Sequence, residues 1–375
     1  MTIYSWYGVD AKDSPPNTFL NTRLLVRLGI LLLPISNVAN CRNLRYNVEK
    51  CILEGFYMST KKMCIANFNT VFEKNDSEMP MLEYFDSIIM PALLSNYIKK
   101  NGDTKLFFDE IEVIEDKDGE YILTGIVVKD TMLEVKYNYD YQEGRLVDRN
   151  GRYQSSPYSL FIIYLKNHRM VLVRDQKGSP SLNNFRTLIK AAIDTYIRKT
   201  NQKLQKEDKE LLPIPLVNVV GISSGSDIAS ALKSVEKVTK LTLKFYPLNG
   251  DGDTDLSEVL EGILKKRHDL RSSTGNLNYN SPENKDEICN FVGKLNGTME
   301  PVLHVRYPGS SVPSKITMDS IIENTEIPVA DDDTKKNIRY IIEASKKNSK
   351  ISYASKANTE IYEENCKKIV PFIKK

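Results

Sequence analysis

Glu134-Val135-Lys136 is the spacing in this chain nearest to a catalytic signature, with Asp109, Asp116 and Asp118 upstream. An acid followed by Glu-x-Lys on a strand can hold Mg²⁺ and set an ammonium beside a scissile phosphate. Alternating Glu and Lys are also what a half-exposed strand shows. Glu134 and Lys136 are therefore read either as a metal-dependent nuclease centre or as strand-surface residues, and no catalytic residue is assigned. Asp251-Gly-Asp-Thr-Asp255 has the opening acids of a calcium loop, but Leu256 and Gly262 stand where such a loop needs Gly and Glu. It reads as a polar turn. Three histidines (His168, His268, His304) and five cysteines (Cys41, Cys51, Cys64, Cys289, Cys366) are scattered with no CxxC spacing. No metal and no cofactor is expected, and the odd cysteine count fits a reducing cytoplasm.

Charge offers a second kind of chemistry. Between Phe161 and Lys206 there are ten Lys/Arg against two Asp, in a chain whose net charge is only +3. Arg169, Arg174, Lys177, Arg186, Lys190, Arg198, Lys199 and Lys203 are the candidate phosphate contacts, since lysine and arginine displace the counterions of a nucleic acid. Tyr158, Phe161 and Tyr164 are candidate stacking residues. The alternative is a solvated helix face over a core. Residues 101–150 are the opposite, with thirteen Asp/Glu against six Lys/Arg, and from Thr334 onward eleven Lys/Arg face four Glu. The acidic stretch and the basic unit are expected either to cover one another or to give two faces of opposite sign.

The elements that must position these residues follow from period and punctuation. Tyr158–Leu165 is an apolar run, Asn167-His168 a turn and Met170–Val173 a returning strand. Apolar residues from Leu182 to Ile197 recur at helical spacing, with Ser179 or Ser181 as cap and Pro180 in the first turn. Leu106–Glu115 and Tyr121–Val128 flank Asp-Lys-Asp-Gly119, a hairpin signal, and Thr131–Tyr139 alternates. Pro80–Lys100 reads as a helix kinked at Pro91. Met1–Val9 and Lys62–Phe72 read as strands, and Leu24–Leu33 is apolar but too short to span a membrane and carries Arg27. No signal peptide is read at the N-terminus.

Lys199–Glu210 is the candidate linker. Beyond it, Leu216–Val220, Gly221-Ile-Ser-Ser-Gly-Ser-Asp227, a helix to Val238 and Leu241–Tyr246 make a βαβ-like unit. The loop lacks the Gly-Lys-Ser/Thr of a P-loop, and Ser226 or Asp227 is expected to cap the helix. Leu256–Arg267 and Lys285–Leu295 read as helices, Pro301–Tyr307 as a strand, and the end as two helices parted by Lys350–Asn358. Twenty Tyr and twelve Phe stand against one Trp, which suits β-rich or stacking surfaces.

The order Ser155-Ser-Pro-Tyr-Ser-Leu-Phe-Ile-Ile-Tyr, hairpin, Ser179-Pro-Ser-Leu-Asn-Asn-Phe, then strand–helix–strand ending Leu241-Thr-Leu-Lys-Phe-Tyr-Pro-Leu-Asn, resembles uncharacterised bacterial proteins of prophages and phage-defence loci. It is similar to the arrangement in lambda RexA-like exclusion proteins. The resemblance covers about a quarter of the chain. It implies a cytoplasmic, nucleic-acid-binding, oligomeric protein of a defence or exclusion system.

The fold expected is α+β. A mostly antiparallel sheet with the basic β-hairpin–helix unit would occupy residues 1–210, and a smaller α/β domain with a basic helical C-terminus residues 211–375. The function expected is binding of double-stranded DNA without chemistry. A homo-oligomer is expected, with a second protein of the same system as a further partner and no membrane insertion. The alternatives are the nuclease and an interaction scaffold in which segments 101–150 and 161–206 serve salt-sensitive self-association.

Overall fold

Tyr158–Tyr164 is apolar at nearly every position because both of its faces are covered. Phe161 and Ile163 face one core, and Leu160, Ile162 and Tyr164 face another. The computed structural model describes residues 59–250, 258–322, 324–329 and 333–374. The expected strand Met1–Val9, the apolar stretch Leu24–Leu33 and the Asp251–Asp255 turn lie outside them.

Two sheets, both antiparallel, carry the fold, so the mixed α and β architecture with a predominantly antiparallel sheet is as expected. The large sheet contains β1 (Ser59–Lys74), β2 (Ser77–Pro80), β3 (Lys99–Asn101), β4 (Thr104–Glu115), β5 (Tyr121–Asp140), β6 (Arg145–Ser155), β7 (Tyr158–Tyr164), β8 (Arg169–Arg174) and β9 (Ile214–Gly221). The small sheet is β10 (Lys237–Phe245), β11 (Gly275–Asn280), β12 (Met299–Arg306) and β13 (Ser314–Ile316). The chain then returns to the large sheet as β14 (Asn324–Val329). The large sheet runs β14–β1–β8–β7–β5–β4–β3, with β2 and β9 on the far half of β1 and β6 on the far half of β5. The small one runs β11–β10–β12–β13. The boundary expected near residue 210 falls just before β9, which pairs with β1 from Glu73↔Ile214 to Ala66↔Gly221.

Besides two single turns at Met318–Ile321 and Ser349–Ser352, the α-helices of the described residues are α1 (Met90–Leu93), α2 (Leu182–Lys206), α3 (Gly225–Leu232), α4 (Glu258–Asp269), α5 (Lys285–Lys294), α6 (Ile338–Lys346) and α7 (Lys356–Ile369). Helix α2 lays Leu182, Phe185, Leu188, Ile189, Ala192, Ile193 and Ile197 on one face of the large sheet. Ile341 and Ile342 of α6 cover the other. Among the described residues no helix is long and apolar enough to cross a membrane. The helix expected over Pro80–Lys100 is instead a 3₁₀ turn (Met81–Tyr84), a π turn (Phe85–Ile89) and α1, followed by β3. The widened turn spares the ladder the N–H that Pro91 lacks.

The acidic hairpin β4–β5 is covered, but by the C-terminal tail. Lys335 pairs with Glu110 at 2.6 Å and Lys374 pairs with Glu112. Lys346 sits among Asp116, Asp118 and Glu120, 2.8 Å from Asp118 and 2.9 Å from Glu120. Lys166 of the β7–β8 turn reaches Glu120 at 2.9 Å. Tyr362 of α7 accepts a hydrogen bond from the Tyr121 amide, and the Lys374 amide donates to Val113. Burial would lower the Lys346 ammonium, yet hydrogen bonds to the three carboxylates hold it above its ordinary value. Asp118 lies below the usual carboxylate range through its hydrogen bond with Lys346. Glu120 also lies below it, because the hydrogen bonds from Lys166 and Lys346 outweigh the burial that alone would raise it.

Lys346→Ala leaves three crowded carboxylates without their cation, and is expected to cost about 2–3 kcal/mol in urea unfolding. The sign with pH follows from the lowered carboxylates. Their contribution is present above about pH 4 and lost as pH falls below it, and that of the raised Lys346 is lost only in strong alkali, so the difference between wild type and variant should hold across neutral pH and shrink in acid. An equal difference at pH 3 and pH 7 would show that the cluster does not carry the effect.

Candidate nucleic-acid interface

Helix α2 begins where it does because Ser181 caps it. The Ser181 hydroxyl accepts from the Asn184 amide at 3.3 Å, and the Asn184 side chain accepts from the Ser181 amide at 2.9 Å. The hairpin before it closes through a longer turn than Asn167-His168 alone, with His168 in the left-handed region at φ +58°. Asn167 is fixed by donating to the carbonyls of Ile351 and Tyr353.

The structure separates the eight candidate basic residues into groups. Arg169 is only 5% exposed, and its guanidinium donates to the Asn296 carbonyl at 2.7 Å, so it serves the interior. Arg186 pairs with Glu300 at 3.1 Å. Arg174, which donates to the Ser179 carbonyl, and Lys177 lie just before the start of α2. Lys190 is exposed in mid-helix beside Asp194. Arg198, Lys199 and Lys203 are exposed on its last turns. At about 1.5 Å per residue, the two ends of this set are roughly 30 Å apart along α2, so the residues do not converge on one spot. Phe161 is fully buried and Tyr164 nearly so, and neither is a stacking surface. Burial pushes the Tyr164 phenol up to about 12, and its hydroxyl is bonded to Ser345 at 2.6 Å. Tyr158 hydrogen-bonds to Asp333 at 2.9 Å.

A second basic surface lies on the small sheet. Side chains alternate across a strand, and Val238, Leu241, Leu243 and Phe245 point inward. Lys240, Thr242 and Lys244 therefore point outward, with Lys237 at the strand start. The register sets Lys240 beside His304, and His304 beside Lys315 of β13. It also sets Lys237 beside Arg306. Asn276, Asn278 and Asn280 of β11 fall opposite Lys244, Thr242 and Lys240. No hydrogen bond or ion pair to a carboxylate of the described residues joins Lys237, Lys240, Lys244, Arg306 or Lys315. Glu300 is the acid on this face, and it is already engaged by Arg186 and by the Tyr246 hydroxyl at 2.6 Å. Partial burial, then the nearby charges of Lys315 and Lys240, hold the His304 imidazole below its ordinary value. Because Arg186 reaches Glu300, and Glu300 lies opposite Lys244, α2 borders this face. Lys190 stands one turn on from Arg186.

Sequence reading missed this surface. The alternation in Lys237-Val-Thr-Lys-Leu-Thr-Leu-Lys-Phe245 was legible, but Arg306 and Lys315 join it only through the pairing of β12 and β13.

The nuclease elements are not brought together. Glu134 lies on the far half of β5, exposed and paired with Arg152 at 3.2 Å. Asp109 pairs with Ile126, eight residues back along the strand, or about 27 Å. Asp116, Asp118 and Glu120 are further still, and the ammonium of Lys346 occupies the space among them. A cleft of about 510 Å³ beside that cluster is lined by Ile114–Asp118, Arg339, Ile342, Glu343 and Lys346. The loop after β9 is a capping turn. Ser224, rather than Ser226 or Asp227, is the N-cap of α3, accepting from the Asp227 amide at 3.1 Å. Comparison with protein families, with curated proteins and with solved structures found no match to this chain.

Proposed function

We propose that the protein binds double-stranded nucleic acid through its phosphates, DNA being the expected form, and that it performs no chemistry on it. The observation that carries this reading is the outer face of the small sheet. Five cations there have no ion pair with an acid among the described residues, and they border the exposed cations of α2. The basic C-terminal tail adds little, because Lys335, Lys346, Lys368 and Lys374 are engaged by carboxylates. The outward positions of β10–β13 carry no Phe, Tyr or Trp, and His304 is the one ring among them, so the face offers no row of stacking platforms of the kind used on single strands. A backbone-contacting, sequence-tolerant mode fits. The resemblance to exclusion proteins supports a place in phage defence within the cytoplasm, as one part of a larger system.

The test is binding to a labelled duplex across a salt series, with and without Mg²⁺, followed by a gel. Five to seven phosphate contacts predict a slope of log affinity against log salt of about −5 to −6, with intact DNA. A slope near zero, or no binding at 50 mM salt, sinks the proposal, while Mg²⁺-dependent cleavage lost in Glu134→Ala would favour the nuclease.

A further inference from the structure

Strand β5 is 20 residues long, and its two halves have different lives. Tyr121–Val128 is gripped between β4 and β7. Among the described residues, Thr131–Asp140 pairs only with β6, and β6 pairs only with it. The result is a two-stranded arm about 33 Å long leaving the sheet. It closes through Tyr141–Gly144, where the Asp140 carboxylate accepts from the Gln142 and Glu143 amides.

The arm has an apolar face and a charged face. Leu133 lies opposite Tyr153, and Tyr139 opposite Leu146. Between them stand Val135, opposite Gly151, and Tyr137, opposite the exposed Asp148, so the face is apolar apart from that one carboxylate. Where Arg149-Asn150 together oppose Lys136, a bulge shifts the register, and Asn150 turns with φ +40°. That shift moves β6 from odd to even positions, which is what brings Leu146 onto the face of Tyr153. The opposite face holds the ion pair Glu134–Arg152 at 3.2 Å, Asp140 opposite Arg145, and Lys136.

An alternating ribbon buries its apolar side, and a lone two-stranded hairpin is marginal in water. Here that side is open. Tyr137 is 60% exposed, Leu146 65% and Tyr153 58%, and Tyr141 at the tip, 5.1 Å from Tyr139, is 91% exposed. With about 200 Å² to a tyrosine, the open face amounts to roughly 700 Å². Monomers rarely leave so large a patch bare, and a standard interface takes about 800 Å² from each partner. Residues 131–155 carry four acids and four bases, a net charge of zero. A neutral arm has no pull on phosphates, and two copies of it do not repel.

We infer that this face packs on the same face of a second copy about a two-fold axis, the tip tyrosines of one arm covering Leu133 and Tyr153 of the other. An isologous contact of this kind is self-complementary. It is an apolar dimer, unlike the salt-sensitive association of segments 101–150 and 161–206, and it stands apart from the phosphate-binding surface.

Sedimentation velocity of the full chain from 0.1 to 50 µM, in 0.5 M salt and without nucleic acid, tests it. The wild type should be dimeric at low micromolar concentration. Tyr137→Glu with Leu146→Glu should raise the dissociation constant at least 100-fold with an unchanged circular dichroism spectrum, while Lys136→Glu on the charged face should leave it within about twofold. A wild type that stays monomeric at 50 µM overturns the inference. So does a dimer indifferent to the double variant, or one that Lys136→Glu dissolves equally well. The monomeric variant should still bind duplex with the same salt slope per subunit, so the two proposals fail separately.

Discussion

Phe185→Ala is expected to cost about 4–5 kcal/mol in equilibrium unfolding, the largest loss from any single residue of α2. Phe185 is fully buried where α2 meets the large sheet. Its ring meets Phe161 at 5.2 Å, Phe108 at 5.7 Å and Phe68 at 6.0 Å. Truncation removes the transfer free energy of a benzyl group and leaves a cavity, and each edge-to-face pair lost adds about 0.5–1.5 kcal/mol. The site cannot collapse easily, because the Phe161 ring is already pressed onto the backbone at Gly125, where a Cβ would lie 2.7 Å from it. A total stability of roughly 5–15 kcal/mol leaves little after such a loss. Phe185→Leu, which refills most of the volume, should cost only about 1–2 kcal/mol. Urea unfolding of the three proteins checks this, and equal costs for Ala and Leu would mean that packing at Phe185 does not anchor α2.

The hairpin–helix was legible because every local signal there agrees: the apolar run, the turn, the serine cap and the helical stripe. What that reading lacked was the other side of each contact. Arg169 follows the turn and looks like a surface cation, yet the position it takes opposite Asn67 on β1 turns it into the interior beside Asn296. Arg186 likewise looked free until β12 brought Glu300 to it. The acidic stretch 101–150 was expected either to be covered by the basic unit or to form a face of its own, and its partners come mostly from 225 to 262 residues downstream rather than from the neighbouring helix. The alternation of Thr131–Tyr139 was also legible. That none of the described residues covers Tyr137 and Tyr139 was not, since alternation tells which residues share a face and says nothing of what lies against it.

Reversing Lys240, Lys244 and Lys315 to Glu should weaken duplex binding roughly 10³-fold at 50 mM salt and flatten the salt slope by about 3. Each reversal removes an attraction to phosphate and adds a repulsion. The three residues lie outward on one face, Lys240 and Lys244 four residues apart on β10 and Lys315 two strands away beyond His304, so one duplex laid on the face meets all of them. Lys240 and Lys315 make no ion pair within the described residues, so their reversal should shift folding by less than about 0.5 kcal/mol each. Lys244→Glu faces Glu300 and gives up its place over the Tyr246 ring, at a cost of about 1–2 kcal/mol, so binding is compared on protein whose unfolding transition has been measured. Arg198→Glu with Lys203→Glu tests the end of α2. Because these two are further from the sheet, the expected loss is smaller, on the order of tenfold. Lys367→Glu, exposed on α7, serves as the single-reversal control for net charge and should change affinity less than about twofold. The comparison separates a located interface from a general effect of net charge. If Lys367→Glu weakens binding as much per charge as the sheet variant, the protein attracts DNA by its overall charge and the small sheet has no special part. If the triple variant binds like the wild type, the cations of α2 alone carry the phosphate contacts.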